Sequence, residues 1–251
     1  MTCLWLQGNG LQKIENLDKQ EKLIVLYLHE NLITRLEGLS HLKNLRVLNL
    51  EQNHIQKIEG LKELKMLETL NLAKNKLTDA ESIAELAEMS EKITTIDLSN
   101  NQIKPANAHE ADEIMKVLIQ MPDLRVLNLM GNTIVRKIRM YRKTAIIKIK
   151  TLTYLDDRPV FPRDRACAEA WGRGGPDAEQ EERVNWANKE RKKIQDSVDH
   201  MLGLRNKANA RRRELGLEPI GSEPIGADVD LETVSLSGSE AGSENSYSEL
   251  E

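Results

Sequence analysis

From its first residues the chain repeats one arrangement of apolar and polar positions. The template Leu-x-x-Leu-x-Leu-x-x-Asn-x-Ile-x-x-Ile-x-x-Leu-x-x-Leu starts at Met1, Leu23, Leu45, Leu67, Ile93 and Leu124, and the first three intervals are 22 residues each. The Leu-x-Leu tracts, such as Leu26 with Leu28 and Leu48 with Leu50, have the period of two that turns side chains to one face of a strand. The stretch after each asparagine keeps a three-residue spacing, which predicts a return segment of helical or 3₁₀ character. One unit cannot bury its own leucines, whereas a stack of units buries them all, at roughly 1.5 to 3 kcal/mol per aliphatic side chain. The pattern therefore predicts an α/β fold: a curved solenoid with parallel strands about 4.8 Å apart on its inner side and helical or 3₁₀ segments on its convex side.

The asparagine of the template recurs in all six copies, at Asn9, Asn31, Asn53, Asn75, Asn101 and Asn132. The backbone turns inward there and leaves groups without strand or helix partners, and an amide supplies both donors and an acceptor. We expect these six residues to form a structural ladder. A template this regular identifies the units as leucine-rich repeats.

Departures from the period set the organisation. The fourth and fifth units lengthen to 26 and 31 residues. In the latter, Ile114, Val117, Leu118 and Met121 follow helical spacing between Pro105 and Pro122, which predicts a convex-side helix. Repeats occupy 1–133. A cap is expected over 134–162, with one more helix through Ile134, Ile138, Tyr141 and Ile146 or Ile147, then a strand from Leu152 to Leu155. A charged helical extension is expected over 163–215, its long helix running from Ala178 to Leu215. There Val184, Ala187, Ile194, Val198, Met201 and Ala208 form a seam interrupted by Arg191, Arg205 and Arg212. Arginine in a seam argues against a strong homodimeric coiled coil; a partner helix with complementary acids, or docking on the solenoid's flank, suits it better. Residues 216–251 hold nine acidic groups and no Lys or Arg, which predicts a disordered acidic tail, with Ser237 and Ser246 each placed three residues before a Glu for an acidophilic kinase. Met1 occupies the first template position, so an upstream repeat or cap is expected to be missing.

Composition narrows the chemistry. Hydrophobic residues make up 39%, charged residues 30% and aromatics only 3%, so the core is aliphatic and little is available for stacking bases. No apolar run approaches the roughly 18 residues of a membrane span. The two cysteines, Cys3 and Cys167, cannot form a disulfide framework. The five histidines have no metal-ligand spacing, and phosphate-binding and nucleophile motifs are absent. Asp156 and Asp157 suit a turn in the cap better than acid and base roles. The expectation is a protein without catalytic residues, cofactor or metal.

Side chains between the strand leucines face the concave wall. Trp5, Tyr27, Asn49, Asn71, Asp97 and Asn128 lie at its centre, flanked by residues that include His29 and Glu51. Trp5 and Tyr27 are adjacent aromatics in a chain poor in them, and aromatic anchors dominate interface energetics; that end is the first choice for partner contact. The wall positions include no Lys or Arg, which disfavours nucleic acid as a partner.

Two resemblances follow from these residues. The units ending EQNHIQKIEGL and WLQGNGLQKIENL resemble those of the nuclear regulatory subunit of protein phosphatase 1. Arg183 to Trp186 also match the short docking motif of phosphatase partners, a frame common by chance. More specific is PDLRVLNLMGN at 122–132, continued by YRK at 141–143 and TYLDDRPVFPRDRACAEAWGRGG at 153–175; this stretch resembles the dynein axonemal assembly factor 1 family. Thr133 stands where that family usually has proline. The resemblance implies a non-catalytic scaffold of the cytoplasm of ciliated or flagellated cells, associated with the cilium and required to preassemble dynein arms. Its implied partners are axonemal dynein chains, other assembly factors or chaperones, with no nucleic acid and no membrane insertion. A phosphatase regulatory subunit is the alternative.

Overall fold

The computed structural model describes residues 2–89 and 92–221; the acidic tail with Ser237 and Ser246 lies outside them from position 222 onward. The chain separates into two compact units, 1–188 and 189–251. The first is the expected solenoid. Six three-residue strands, β1 (Cys3–Trp5), β2 (Val25–Tyr27), β3 (Val47–Asn49), β4 (Thr69–Asn71), β5 (Thr95–Asp97) and β6 (Val126–Asn128), pair in chain order and in parallel with a seventh, β7 (Tyr154–Leu155). Leu4, Leu26, Leu48, Leu70, Ile96, Leu127 and Leu155 stand in register, one per strand. Beneath them one continuous core runs from Ile14 to Leu155. The template leucines of the second to sixth coils are sealed from water, whereas Leu4, Leu6 and Leu11 of the first are half-buried.

Each coil contributes the same backbone device. The residue before the template asparagine has a left-handed backbone, as in Gly8 (φ 66°), Glu30, Gln52, Lys74, Asn100 and Gly131 (φ 75°), which reverses the chain out of the strand. The following amide then fills the turn. Asn53 Oδ1 accepts from Ile33 N–H at 3.1 Å, and its Nδ2 donates to the carbonyls of Leu28 and Leu50, both at 3.0 Å. Asn31, Asn75, Asn101 and Asn132 repeat this between their own neighbours, and all five are buried. Asn9 differs: it is exposed, and its amide reaches only the Gln7 carbonyl at 3.0 Å.

Return segments follow insertion length. The first three coils come back through turns alone. The fourth carries a 3₁₀ helix (Glu81–Glu88), and the fifth α1 (Ala108–Ile119). Helix α1 begins with a reciprocal cap: Asn107 Oδ1 accepts from Glu110 N–H at 2.9 Å, and the Glu110 carboxylate accepts from Ala106 N–H at 2.8 Å. Its buried residues Ala111, Ile114, Met115 and Leu118 face the core.

The cap is more divided than the sequence suggests. In place of one helix there are two, α2 (Ile134–Lys137) and α3 (Tyr141–Lys148), because Ile138 is extended and Met140 is left-handed (φ 48°). After β7 the chain turns at Asp156 (φ 57°) into β8 (Arg158–Pro159), which pairs antiparallel with β7. Along the solenoid, Leu6, Leu28, Leu50, Leu72 and Leu98 each donate N–H to a carbonyl of the next strand, at 2.8–2.9 Å. Leu129 has no such carbonyl and donates to Asp156 Oδ1 at 2.9 Å instead. A side chain thus ends the ladder. Burial pushes the Asp156 carboxyl above its ordinary 3.8, opposed by the hydrogen bonds from Leu129 N–H and the Tyr141 hydroxyl. A raised acid pKa contributes stability below 3.8 that is lost as pH rises through the folded-state value. Asp156→Asn keeps an acceptor for Leu129 and removes the charge. Urea titrations are therefore expected to show a variant at least as stable as the parent at neutral pH, with a flatter dependence just above pH 4, near the ordinary carboxylate value.

Helix α4 (Pro162–Glu214) starts well before Ala178 and is broken at Gly175 (φ 73°, ψ −156°), followed by Pro176. Its first part closes the end of the core. Arg165 donates to the carbonyls of Ile146 and Leu152 at 2.8 and 2.6 Å, Cys167, Ala168 and Ala170 are buried, and Glu179 is paired with Lys143 and Arg183. Lys143 also lies 5.6 Å from the Trp171 ring centre. The second unit begins at Lys189 within the helical register. Its described part closes with a turn where Asn209 Oδ1 accepts from Ile220 N–H at 2.7 Å and Arg212 Nε donates to the Glu218 carbonyl.

Candidate protein-interaction wall

Strand alternation leaves three columns facing away from the core. The central one is Trp5, Tyr27, Asn49, Asn71, Asp97 and Asn128; in register terms these residues neighbour one another from β1 to β6. Trp5 and Tyr27 stack, with ring centroids 4.1 Å apart and planes 20° from parallel, and His29 meets Tyr27 edge-on at 6.1 Å. Trp5 is 59% exposed, although large aromatics are usually covered. His29 Nδ1 is buried and has no hydrogen-bond partner.

The amide stretch has a second commitment. Asn49, Asn71, Asp97 and Asn128 each accept with Oδ1 from the N–H two residues on, at 2.8–3.1 Å, fixing the turn that leaves the strand. What they still present outward is a line of amide and carboxylate edges. Asn128 Nδ2 donates to Asp97 Oδ2 at 3.0 Å, and Glu51 pairs with Lys74 at 2.8 Å. Lys74 is the left-handed residue after the strand, so a lysine stands at the rim of a wall whose strand positions carry none.

Sequence reasoning missed a third column, Cys3, Val25, Val47, Thr69, Thr95 and Val126, half-buried on the same face. Extending the period of two by one more step toward the N-terminus would have found it. The wall therefore has a β-branched stripe beside a polar one, with aromatics at the β1 end.

Tyr141 is held neutral, its phenol pushed far up by burial and by Asp156, and burial raises the Cys167 thiol. Among the described residues no three His, Cys, Asp or Glu side chains converge as a metal site, and no helix is long and apolar enough to cross a membrane. The Arg183–Trp186 frame lies within α4, with Arg183 bonded to Glu179 at 3.2 Å. An extended docking strand is not its conformation.

Comparison with known proteins agrees with the repeat architecture. Leucine-rich-repeat family models match residues 21–63, as two copies, and 59–80. Dynein axonemal assembly factor 1 of Homo sapiens is 46% identical over 149 residues, covering 59% of this chain and 20% of that protein. The homolog of Anopheles gambiae is 46% identical over 117 residues, 47% of this chain and 12% of its own. The chain thus matches about a fifth or less of these relatives' length. Among solved structures, internalin C2 of Listeria monocytogenes superposes with a TM-score of 0.50 at 24% identity, over 62% of this chain and 60% of that one, a likeness of fold alone. The chain folds as a leucine-rich-repeat solenoid, with repeat models matching within residues 21–80, and over 149 of its residues it is similar in sequence to dynein axonemal assembly factor 1.

Proposed function

We propose that the chain is a non-catalytic scaffold that grips other proteins on its concave wall and serves the preassembly of axonemal dynein arms in the cytoplasm of ciliated or flagellated cells. The observation that carries the binding part is the exposed Trp5–Tyr27 stack at one end of a wall held rigid by the ladder beneath it. Rigid aromatics lose little conformational entropy on binding and are the usual anchors of an interface. The part that concerns dynein rests on the similarity of 149 residues of the chain to dynein axonemal assembly factor 1. Partner contact is assigned to Trp5, Tyr27, His29, Asn49, Glu51, Asn71, Asp97 and Asn128, with dynein chains, other assembly factors or chaperones as the bound proteins.

Deleting the gene in a flagellated cell is expected to give axonemes lacking dynein arms by electron microscopy, with loss of swimming; intact arms and normal motility would reject the assignment. Tyr27→Ala is the finer test. It leaves the core untouched, and in the same cells it is expected to weaken capture of dynein chains or assembly factors by about 2 kcal/mol, roughly thirtyfold. Undiminished co-purification with a normally stable Tyr27→Ala protein would remove the wall from the binding reaction.

A further inference from the structure

Within the second unit, α4 carries an apolar seam that nothing described covers. Ile194 is 51% exposed, Val198 46% and Met201 68%. A soluble helix draws most of its stability from packing such a face, and Gly203 lowers its intrinsic stability by about 1 kcal/mol more.

The seam has a code. From Arg191 the steps run three and four in alternation, giving Arg191, Val198, Arg205 and Arg212 at one heptad position and Ile194, Met201 and Ala208 at the other. Arginine therefore fills three of four places at the first position. Arg212 is engaged with the Glu218 carbonyl, whereas Arg191 and Arg205 have no ion-pair partner among the described residues. Asp196 and Asp199 cannot neutralise them, since heptad spacing puts both outside the seam. A second copy in parallel would set arginine against arginine in a desolvated seam, which like charges oppose.

We infer that the α4 seam from Arg191 to Ala208 is the docking face for an acidic heptad helix of a partner protein, which sets carboxylates against Arg191 and Arg205 and aliphatic side chains against Ile194, Val198 and Met201. The apolar positions supply attraction, and the two buried charge pairs fix register and partner choice. This face is distinct from the concave wall, and the inference stands whether or not dynein assembly is the protein's role.

The full chain is titrated with labelled synthetic helical peptides of about four heptads, carrying leucine at the second heptad position and either glutamate or lysine opposite the arginines, with poly(U) RNA as a third probe. The glutamate peptide is expected to bind at least roughly tenfold more tightly than the lysine peptide. The double variant R191E/R205E is expected to reverse that preference, and Met201→Asp to abolish binding of both peptides. Equal affinity for the two peptides, an unreversed preference in the double variant, or no binding of either peptide would each overturn the inference. So would self-association through the seam, or poly(U) binding at the same arginines that is unaffected by Met201→Asp and excludes the glutamate peptide.

Discussion

Asn75→Ala is expected to destabilise the solenoid by about 2–4 kcal/mol, while Asn9→Ala changes stability by less than about 0.5 kcal/mol. The difference lies in what each amide holds. Asn75 Oδ1 accepts from Ile55 N–H at 3.0 Å, and the alanine variant leaves that donor unpaired where water cannot reach it. The carbonyls fare better, because Leu50 and Leu72 each keep a second donor, from Asn53 and Asn101 respectively. That sharing makes the ladder cooperative. Removing Asn53 together with Asn75 strips the Leu50 carbonyl of both side-chain donors, so the double variant is expected to lose about 1–2 kcal/mol beyond the sum of the single losses. Urea denaturation of the parent, the two single variants and the double variant measures this directly, and strict additivity would show that the amides act independently.

Gly38→Ala is the second large effect, expected at about 3–5 kcal/mol. Gly38 has φ 72°, and a Cβ there would sit 2.5 Å from the Ile14 carbonyl oxygen of the preceding coil. The cost combines left-handed strain with a clash against backbone, which cannot swing aside. Gly8 separates the two contributions. Its φ is 66°, yet a Cβ added there would meet no atom within 4 Å, so Gly8→Ala is expected to cost only about 1 kcal/mol. Similar midpoints for the two alanine variants would mean that coils 1 and 2 separate at little cost, contrary to the close approach at Ile14.

Most of the architecture was legible because the period of two and the 22-residue interval are backbone properties written directly in leucine positions. Leu26 and Leu28 point inward for the same geometric reason in every coil. Helix α1 was legible for the same reason, through Ile114 and Leu118. The cap was harder. Met140 adopts a left-handed backbone that its residue type disfavours, imposed by how α2 and α3 pack, and no local pattern announces it. Strand β8 is two residues long and contains Pro159, which reads as a breaker and not as a strand. The early start of α4 is hidden by Gly174, Gly175 and Pro176, which look like a helix boundary and prove to be a break inside the helix. On the wall, the alternation located Asn49, Asn71, Asp97 and Asn128, but residue type alone could not say that each also holds the N–H two residues on. Asparagine permits that bond without demanding it, and the turn geometry decides.

The sequence interval between paired strands, Cys3 with Val25 and Val25 with Val47, also bears on how the molecule is made. At about 5–20 residues per second, a ribosome delivers each 22-residue coil in about 1–4 s, far longer than such short loops need to close. Each coil after the first therefore meets a finished surface on which to condense, and maturation proceeds vectorially toward the carboxyl end. The growing edge of the nascent chain stays unsatisfied until Asp156 arrives and the last leucine N–H finds its acceptor.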